Sequence, residues 1–322
     1  MKQTLCVLSV LILMTTVNCA SSRNQSSSDD PAFQFSMAER SFNEGDYKQA
    51  VYWLQKAADQ GHAGAQRDLG GLYAYGYGIE QDYTQAVFWF RKAADQGYDE
   101  AQNDLGICYR DGIGVEQDYT QAAFWFRKAA EQGHANAQNA LGRLYAYGYG
   151  VEQNYTQAVF WFRKAAEQGY DEAQNNLGEC YLGGLGVEYD YTQAAFWFRK
   201  AAEQGYTEAQ NKLGLFYFEG KGVRQDYTQA VYWLRKAAEQ GHAQAQYNLG
   251  IFYFGGIGVE QDYTQAVFWF RKAAEQGHAQ AQYNLGVCYF NGEGIEQDYT
   301  QAAYWIRKAA EQGHTGAIRA LE

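Results

Sequence analysis

Five histidines and five cysteines are the residues of this 322-residue sequence best suited to metal binding or nucleophilic chemistry. The histidines, His62, His134, His242, His278 and His314, all fall at one phase of a repeating pattern, and Tyr98, Tyr170 and Tyr206 fill that phase elsewhere. A metal needs ligands converging within a few ångströms. Equivalent residues of neighbouring helical units stand on the order of 10 Å apart. The phase therefore assigns these histidines to helix starts, and no metal ligand is expected. Cys108, Cys180 and Cys288 share a second phase, which Leu72, Leu144, Phe216 and Phe252 fill in other units. That company makes them small buried hydrophobes, and at two or more units apart they are too distant to bridge. No nucleophile–base pair emerges, so no catalytic or cofactor-binding residue is expected. The recurring Gly-x-Gly, as at Gly112 and Gly114, follows a helix, whereas nucleotide fingerprints follow a strand. It reads as a helix turn. Asn24-Gln25-Ser26 and Asn154-Tyr155-Thr156 fit the glycosylation sequon, which matters only in a eukaryotic secretory route.

The elements that carry these residues are tandem copies. All eight tryptophans, Trp53, Trp89, Trp125, Trp161, Trp197, Trp233, Trp269 and Trp305, keep a spacing of 36 residues. Gly61, Gly97, Gly133, Gly169, Gly205, Gly241, Gly277 and Gly313 keep the same step. Seven full units span 62–313, a shorter one occupies 33–61, and a partial helix, 314–322, follows. In the unit HAGAQRDLGGLYAYGYGIEQDYTQAVFWFRKAADQG, residues 62–97, a first helix (A) is expected over 63–75. Ala65, Leu69, Leu72, Tyr73 and Gly76 lie on one stripe, and Gly76-Tyr77-Gly78 ends it. Asp82 caps a second helix (B), with Gln85 three residues on. Helix B buries Ala86, Trp89, Phe90 and Ala93, and Arg91 and Lys92 suit its C-terminal dipole. Gly70 and the alanines let paired helices approach closely. A single hairpin cannot bury its stripe, so stacking is required.

This pattern, with its Leu-Gly, Gly-x-Gly, Asp-Tyr, Trp and Lys-Ala-Ala, resembles the Sel1-like (tetratricopeptide-like) repeat family over 33–322, of the bacterial exported type. The resemblance implies an all-α, right-handed solenoid of stacked helix-turn-helix repeats that holds partner proteins or peptides. Cysteine-rich relatives carry two cysteines per repeat, and some are described as penicillin-binding or β-lactamase-like. This chain lacks the second cysteine.

The net charge of −11 disfavours phosphate backbones, so nucleic acid is not an expected partner. A single proline, Pro31, suits a chain that is helical almost throughout. Met1-Lys2 and the apolar Leu5–Val17 read as an export signal over 1–19, too short to span a bilayer, which takes roughly 20 residues. Thr16-Val17-Asn18-Cys19 resembles a bacterial lipobox, making Cys19 the candidate lipid attachment. Thr16 and Asn18 depart from the usual Leu and small residue, and ordinary cleavage near Cys19 or Ala20 is the alternative. Residues 20–32, rich in Ser, Asn, Gln and Asp, read as a flexible tether. The expected location is periplasmic, outer-membrane-anchored or secreted.

Differences between the near-copies point to a binding face. Helix B barely varies, whereas helix A varies at the phases of 67, 68, 71, 74 and 75, opposite Leu69 and Tyr73. In tetratricopeptide-like stacks helix A lines the concave surface. Units two to five place polar or small residues there: Arg67, Gly71, Ala74; Asn103, Ile107, Arg110; Asn139, Arg143, Ala146; Asn175, Glu179, Leu182. Units six to eight place Leu215, Phe218, Ile251, Phe254, Val287 and Phe290, flanked by Tyr247 and Tyr283, which should form an exposed apolar strip for a peptide or protein. A second row, Tyr52, Phe88, Phe124, Phe160, Phe196, Tyr232, Phe268 and Tyr304, is expected to pack against the next unit. Otherwise it offers a convex face for self-association or membrane contact. These readings converge on a non-catalytic interaction scaffold or adaptor of the envelope or secreted space. A periplasmic regulator or inhibitor of an envelope enzyme is the first alternative, and a β-lactamase-like or peptidoglycan-binding hydrolase, as described for cysteine-rich relatives, the second.

Overall fold

The computed structural model describes residues 28–321. The expected export signal, Cys19 and residues 20–27 of the tether lie outside the described residues. Seventeen helices make up the regular structure among the described residues. They form A/B hairpins: α1 (Pro31–Asn43) with α2 (Tyr47–Asp59), α3 (Ala63–Tyr75) with α4 (Tyr83–Asp95), and α5 (Asp99–Asp111) with α6 (Tyr119–Glu131). Next come α7 (Ala135–Tyr147) with α8 (Tyr155–Glu167), α9 (Asp171–Gly183) with α10 (Tyr191–Glu203), and α11 (Thr207–Glu219) with α12 (Tyr227–Glu239). The last pairs are α13 (Ala243–Gly255) with α14 (Tyr263–Glu275) and α15 (Ala279–Asn291) with α16 (Tyr299–Glu311), followed by the short α17 (Thr315–Leu321). Two compact units divide at Ala165 and Ala166. In the first, α1 to α7 pack in chain order, and in the second, α9 to α17 do the same. The fold class is the expected one: all-α, built of stacked helix-turn-helix repeats of the solenoid kind.

The helix ends follow from local chemistry. Asp82 Oδ1 accepts from the N–H groups of Thr84 and Gln85 at 2.8 and 3.1 Å, and Asp118, Asp190 and Asp298 repeat the arrangement. Helix α1 opens at Pro31, inside the end of the expected tether, because Asp30 accepts from the Ala32 N–H at 3.1 Å. Proline is tolerated at that first position, where no helical N–H bond is lost. Each A helix from α3 on, apart from the short α17, ends at a glycine in the left-handed region, Gly76 with φ 74° for example. Two residues later a second glycine serves packing. A Cβ on Gly258, at φ 68°, would collide with the backbone of Tyr227, the first residue of the preceding B helix.

Each core layer joins two consecutive hairpins. Ala86, Phe90 and Ala93 of α4 pack with Ala101, Leu105 and Cys108 of α5, and Trp125 of α6 closes the layer. Inside each hairpin from α3 on a glycine of helix A faces a large B-helix side chain. A Cβ on Gly70 would lie 2.7 Å from the Phe90 ring. The three described cysteines are buried at the phase expected of small hydrophobes.

A polar seam runs beside this core. Gln66, buried in α3, donates from Nε2 to the Ala58 carbonyl of α2 at 3.0 Å, and accepts from Gln96 at the end of α4 at 2.7 Å. Gln102, Gln210, Gln246 and Gln282 each make the same pair of bonds. The buried amide thus adds a second donor to a carbonyl near the C-terminus of the preceding helix, which also accepts from a glycine N–H three residues on. Arginines add a further tie: Arg127 donates to the Tyr145 hydroxyl at 2.9 Å and Arg271 to Tyr289 at 2.9 Å, each linking a B helix to the next A helix.

Candidate functional site

The histidines sit where their phase placed them. His62, His134, His242, His278 and His314 each precede an A helix, and Nδ1 accepts the N–H three residues on at 3.1–3.2 Å. Where tyrosine replaces histidine no side chain caps the helix, and acidic residues occupy the first turn instead, as with Asp99 and Glu100 of α5. Burial lowers the pKa of His62, His134 and His278 from the ordinary 6.5. The cap also needs the neutral ring, since a protonated Nδ1 cannot accept. A base whose pKa is depressed by folding contributes stability that is present above its unfolded value and is lost as pH falls through the folded one. Urea midpoints should therefore drop as pH is lowered from about 6.5. A variant with His62, His134 and His278 all changed to Asn, which caps without titrating, should show a shallower drop over that range. Superimposable pH profiles would refute the linkage.

Among the described residues, no three His, Cys, Asp or Glu groups cluster so as to hold a metal. Burial pushes the thiols of Cys108, Cys180 and Cys288 up to about 12, far from a reactive thiolate.

The varied A-helix phases differ from expectation in burial. Leu215, Phe218, Tyr247, Ile251, Phe254, Tyr283 and Val287 are half-buried, and only Phe290 of the eight is openly exposed, at 54%. The rings pack against neighbouring helices, within a hairpin or across to the next. Phe218 lies 5.1 Å from Phe252, Phe254 5.0 Å from Tyr263, and Phe290 5.4 Å from Tyr299. Tyr247 and Tyr283 stack on His278 and His314 at 4.7 and 4.6 Å. A helical wheel treats one helix alone, whereas a stack covers each A helix on two sides. The same cause buries Asn103, Asn139 and Asn175, which the wheel also placed outside.

What remains open on this face differs between the two units. In residues 1–165, Arg67 is paired with Asp104 at 2.9 Å and Asp68 at 3.2 Å. Burial opposes the Arg67 charge, but the two carboxylates outweigh it and raise its pKa, while burial raises that of Asp68. In residues 166–322, Lys212 bridges Glu179 at 2.7 Å and Glu208 at 3.3 Å, and His242 Nε2 meets Glu208 at 2.8 Å. The hydrogen bond from His242, with help from Lys212, holds the Glu208 carboxyl down at about 2. This second face thus carries both the exposed Phe290 and a satisfied ion cluster.

The second row of rings also departs from expectation. Tyr52, Phe88, Phe124, Phe160, Phe196, Tyr232, Phe268 and Tyr304 do not pack under the next hairpin: each is 45–48% exposed. The adjacent Trp takes the seam and turns the preceding ring outward. Each ring meets its Trp edge-on at 4.9–5.0 Å. The lysine four residues on lies over each ring, 4.6 Å away at Phe88 and 5.8 Å at Phe196.

Comparison with known proteins agrees with this architecture. The Sel1 repeat profile matches eight consecutive segments: 43–62, 63–98, 99–134, 135–170, 171–206, 207–242, 243–278 and 279–314. Among curated proteins, none matches the chain. Among solved structures, c5321, a protective antigen of uropathogenic Escherichia coli strains displaying an SLR fold, is 40% identical with a TM-score of 0.85. That match covers 90% of this chain and 63% of the antigen, so the chain spans under two thirds of that relative's length. A Sel1 repeat protein from Oxalobacter formigenes is 36% identical with a TM-score of 0.72, covering 91% of this chain and 86% of its own. The chain belongs to the Sel1 repeat family.

Proposed function

We propose that this protein is a non-catalytic interaction scaffold of the cell envelope or secreted space. It is exported by residues 1–19 and takes a peptide or protein on the A-helix face of residues 166–322. Sel1 repeat proteins generally mediate protein–protein interaction and are generally non-catalytic. One observation carries the choice of face: otherwise near-identical hairpins differ there, with Arg67 and Asn103 in the first unit and Tyr247, Tyr283 and Phe290 in the second. Export is supported by the leader-like 1–19 and by the Escherichia coli relative's description as a protective antigen, which accords with exposure outside the cell. Burial of the three described thiols, which raises their pKa, counts against the hydrolase alternative. A periplasmic regulator would use the same face and differ only in its partner.

The test compares capture from envelope extracts by the parent chain and by two variants of matched helicity. Phe290→Ser with Val287→Asn alters the A-helix face, and Phe268→Ser with Tyr232→Ser alters the other one. The A-helix variant should lose a captured protein that the parent and the other variant both retain. Equal capture by all three would overturn this choice of face.

A further inference from the structure

The outward rings on the B helices have no role in the function proposed above. They occupy a position where packing leaves the residue free to change, yet all eight are aromatic and all eight carry a lysine four residues on. Exposed rings on one face are costly to keep in water and ordinarily mark a contact surface. Phe and Tyr exchange freely, with Tyr at 52, 232 and 304, so the partner does not read a hydroxyl. Every rung also has the same exposure, 45–48%, and the same edge-on Trp. A partner that meets each rung identically is uniform along the row.

Charge narrows the choice. From α4 on, each B helix carries one Arg and one Lys against a single Asp or Glu, so the helices that bear the rings are net positive on a chain whose net charge is −11. Back-to-back packing of two copies would oppose basic face to basic face, which disfavours a second copy as occupant. Aromatic rings interleaved with basic groups match the headgroup layer of an anionic bilayer, where rings insert at the boundary and lysines reach phosphates. We propose that this row of rings and lysines, four rungs in each unit, is a docking surface for an anionic lipid bilayer. Docked this way, each unit rests on its B helices and leaves its varied A-helix phases free for a protein partner.

The experiment uses residues 20–322, which retain every described helix and leave out the apolar leader and Cys19, so that neither leader nor acyl chain contributes. Co-sedimentation with vesicles is compared for phosphatidylcholine alone and phosphatidylcholine mixed with phosphatidylglycerol. The chain should sediment with the anionic vesicles, and raised salt should release it. A variant with Phe196, Tyr232, Phe268 and Tyr304 changed to Ser should lose about tenfold or more in partitioning. Changing Lys200, Lys236, Lys272 and Lys308 to Gln should weaken binding to anionic vesicles and flatten its salt dependence. Phe290→Ser should bind vesicles like the parent, which separates this proposal from the A-helix reading. A readout on the unsubstituted chain guards against misfolded variants: lipids brominated near the headgroup should quench the tryptophans that sit 4.9–5.0 Å from the rings. Absence of sedimentation, absence of quenching, or unchanged binding by a helical ring variant would each overturn the proposal. So would binding of soluble polyphosphate without binding of vesicles, which would mark the face as one for a polyanion.

Discussion

Gly258→Ala should cost about 3 kcal/mol or more and break the stack between α12 and α13. Two costs combine. The residue sits at φ 68°, where a Cβ is strained by roughly 1–2 kcal/mol. That Cβ would also run into the backbone of Tyr227, which has no side-chain freedom with which to yield. The turn of one hairpin rests directly on the start of the preceding B helix, so relief means separating the hairpins. Gly277→Ala is the internal control. Gly277 has φ 91° but nothing within 4 Å of the added carbon, so only the conformational cost applies, about 1 kcal/mol. Urea titration by circular dichroism, with limited proteolysis at the 255–262 turn, distinguishes the two. In a repeat array each hairpin is held by its neighbours, so Gly258→Ala should broaden or split the transition. Equal destabilisation by the two substitutions would contradict the packing account.

Phe270→Ala should destabilise by about 3–5 kcal/mol. The ring is 1% exposed and fills the space beneath Gly250, where an added Cβ would come within 2.5–2.6 Å of it. Gly250→Ala alone should also be costly, because the ring cannot withdraw from a close-packed layer. The pair should couple. With Phe270 already truncated, a methyl at position 250 meets space instead of a ring, so the double variant should lose less than the sum of the single ones. Thermal or urea melts of all four proteins close the cycle, and strict additivity would show that the two positions do not share a cavity.

The hairpins were legible in the sequence because their signals are local and repeated eight times. Asp82 before Tyr83 announces a B helix, Gly76 closes an A helix, and the Trp spacing sets the period. Burial was legible only where one helix decides it. Leu69 and Phe90 lie on stripes that a wheel identifies, and both are fully buried. Phe254 and Asn103 were misplaced because helices packed around them cover them, Tyr263 and Phe270 of α14 in the case of Phe254, and a single helix does not contain those neighbours. The outward rings were misread for the converse reason: a large aromatic next to Trp suggested packing, but only one of two adjacent side chains can enter a seam. The buried glutamines escaped notice altogether. Gln66, Gln102, Gln138, Gln174, Gln210, Gln246 and Gln282 recur without a slip and were legible as a period. Strict recurrence inside a helix with otherwise variable polar positions was the available signal.

The glutamine relay has a consequence for how such a protein changes over generations. Each A helix takes hold of its predecessor through one glutamine-to-carbonyl bond, and the same glutamine accepts from the end of its own B helix, whichever pair of hairpins is joined. The joints are therefore interchangeable. An unequal crossover that removes or inserts one 36-residue period, for example by joining Gly97 directly to His134, keeps the glutamine joint intact, although pairs such as Arg67 with Asp104 are lost. Gene duplication can lengthen or shorten the array in whole steps, leaving selection to act on the few side chains that distinguish one hairpin from the next.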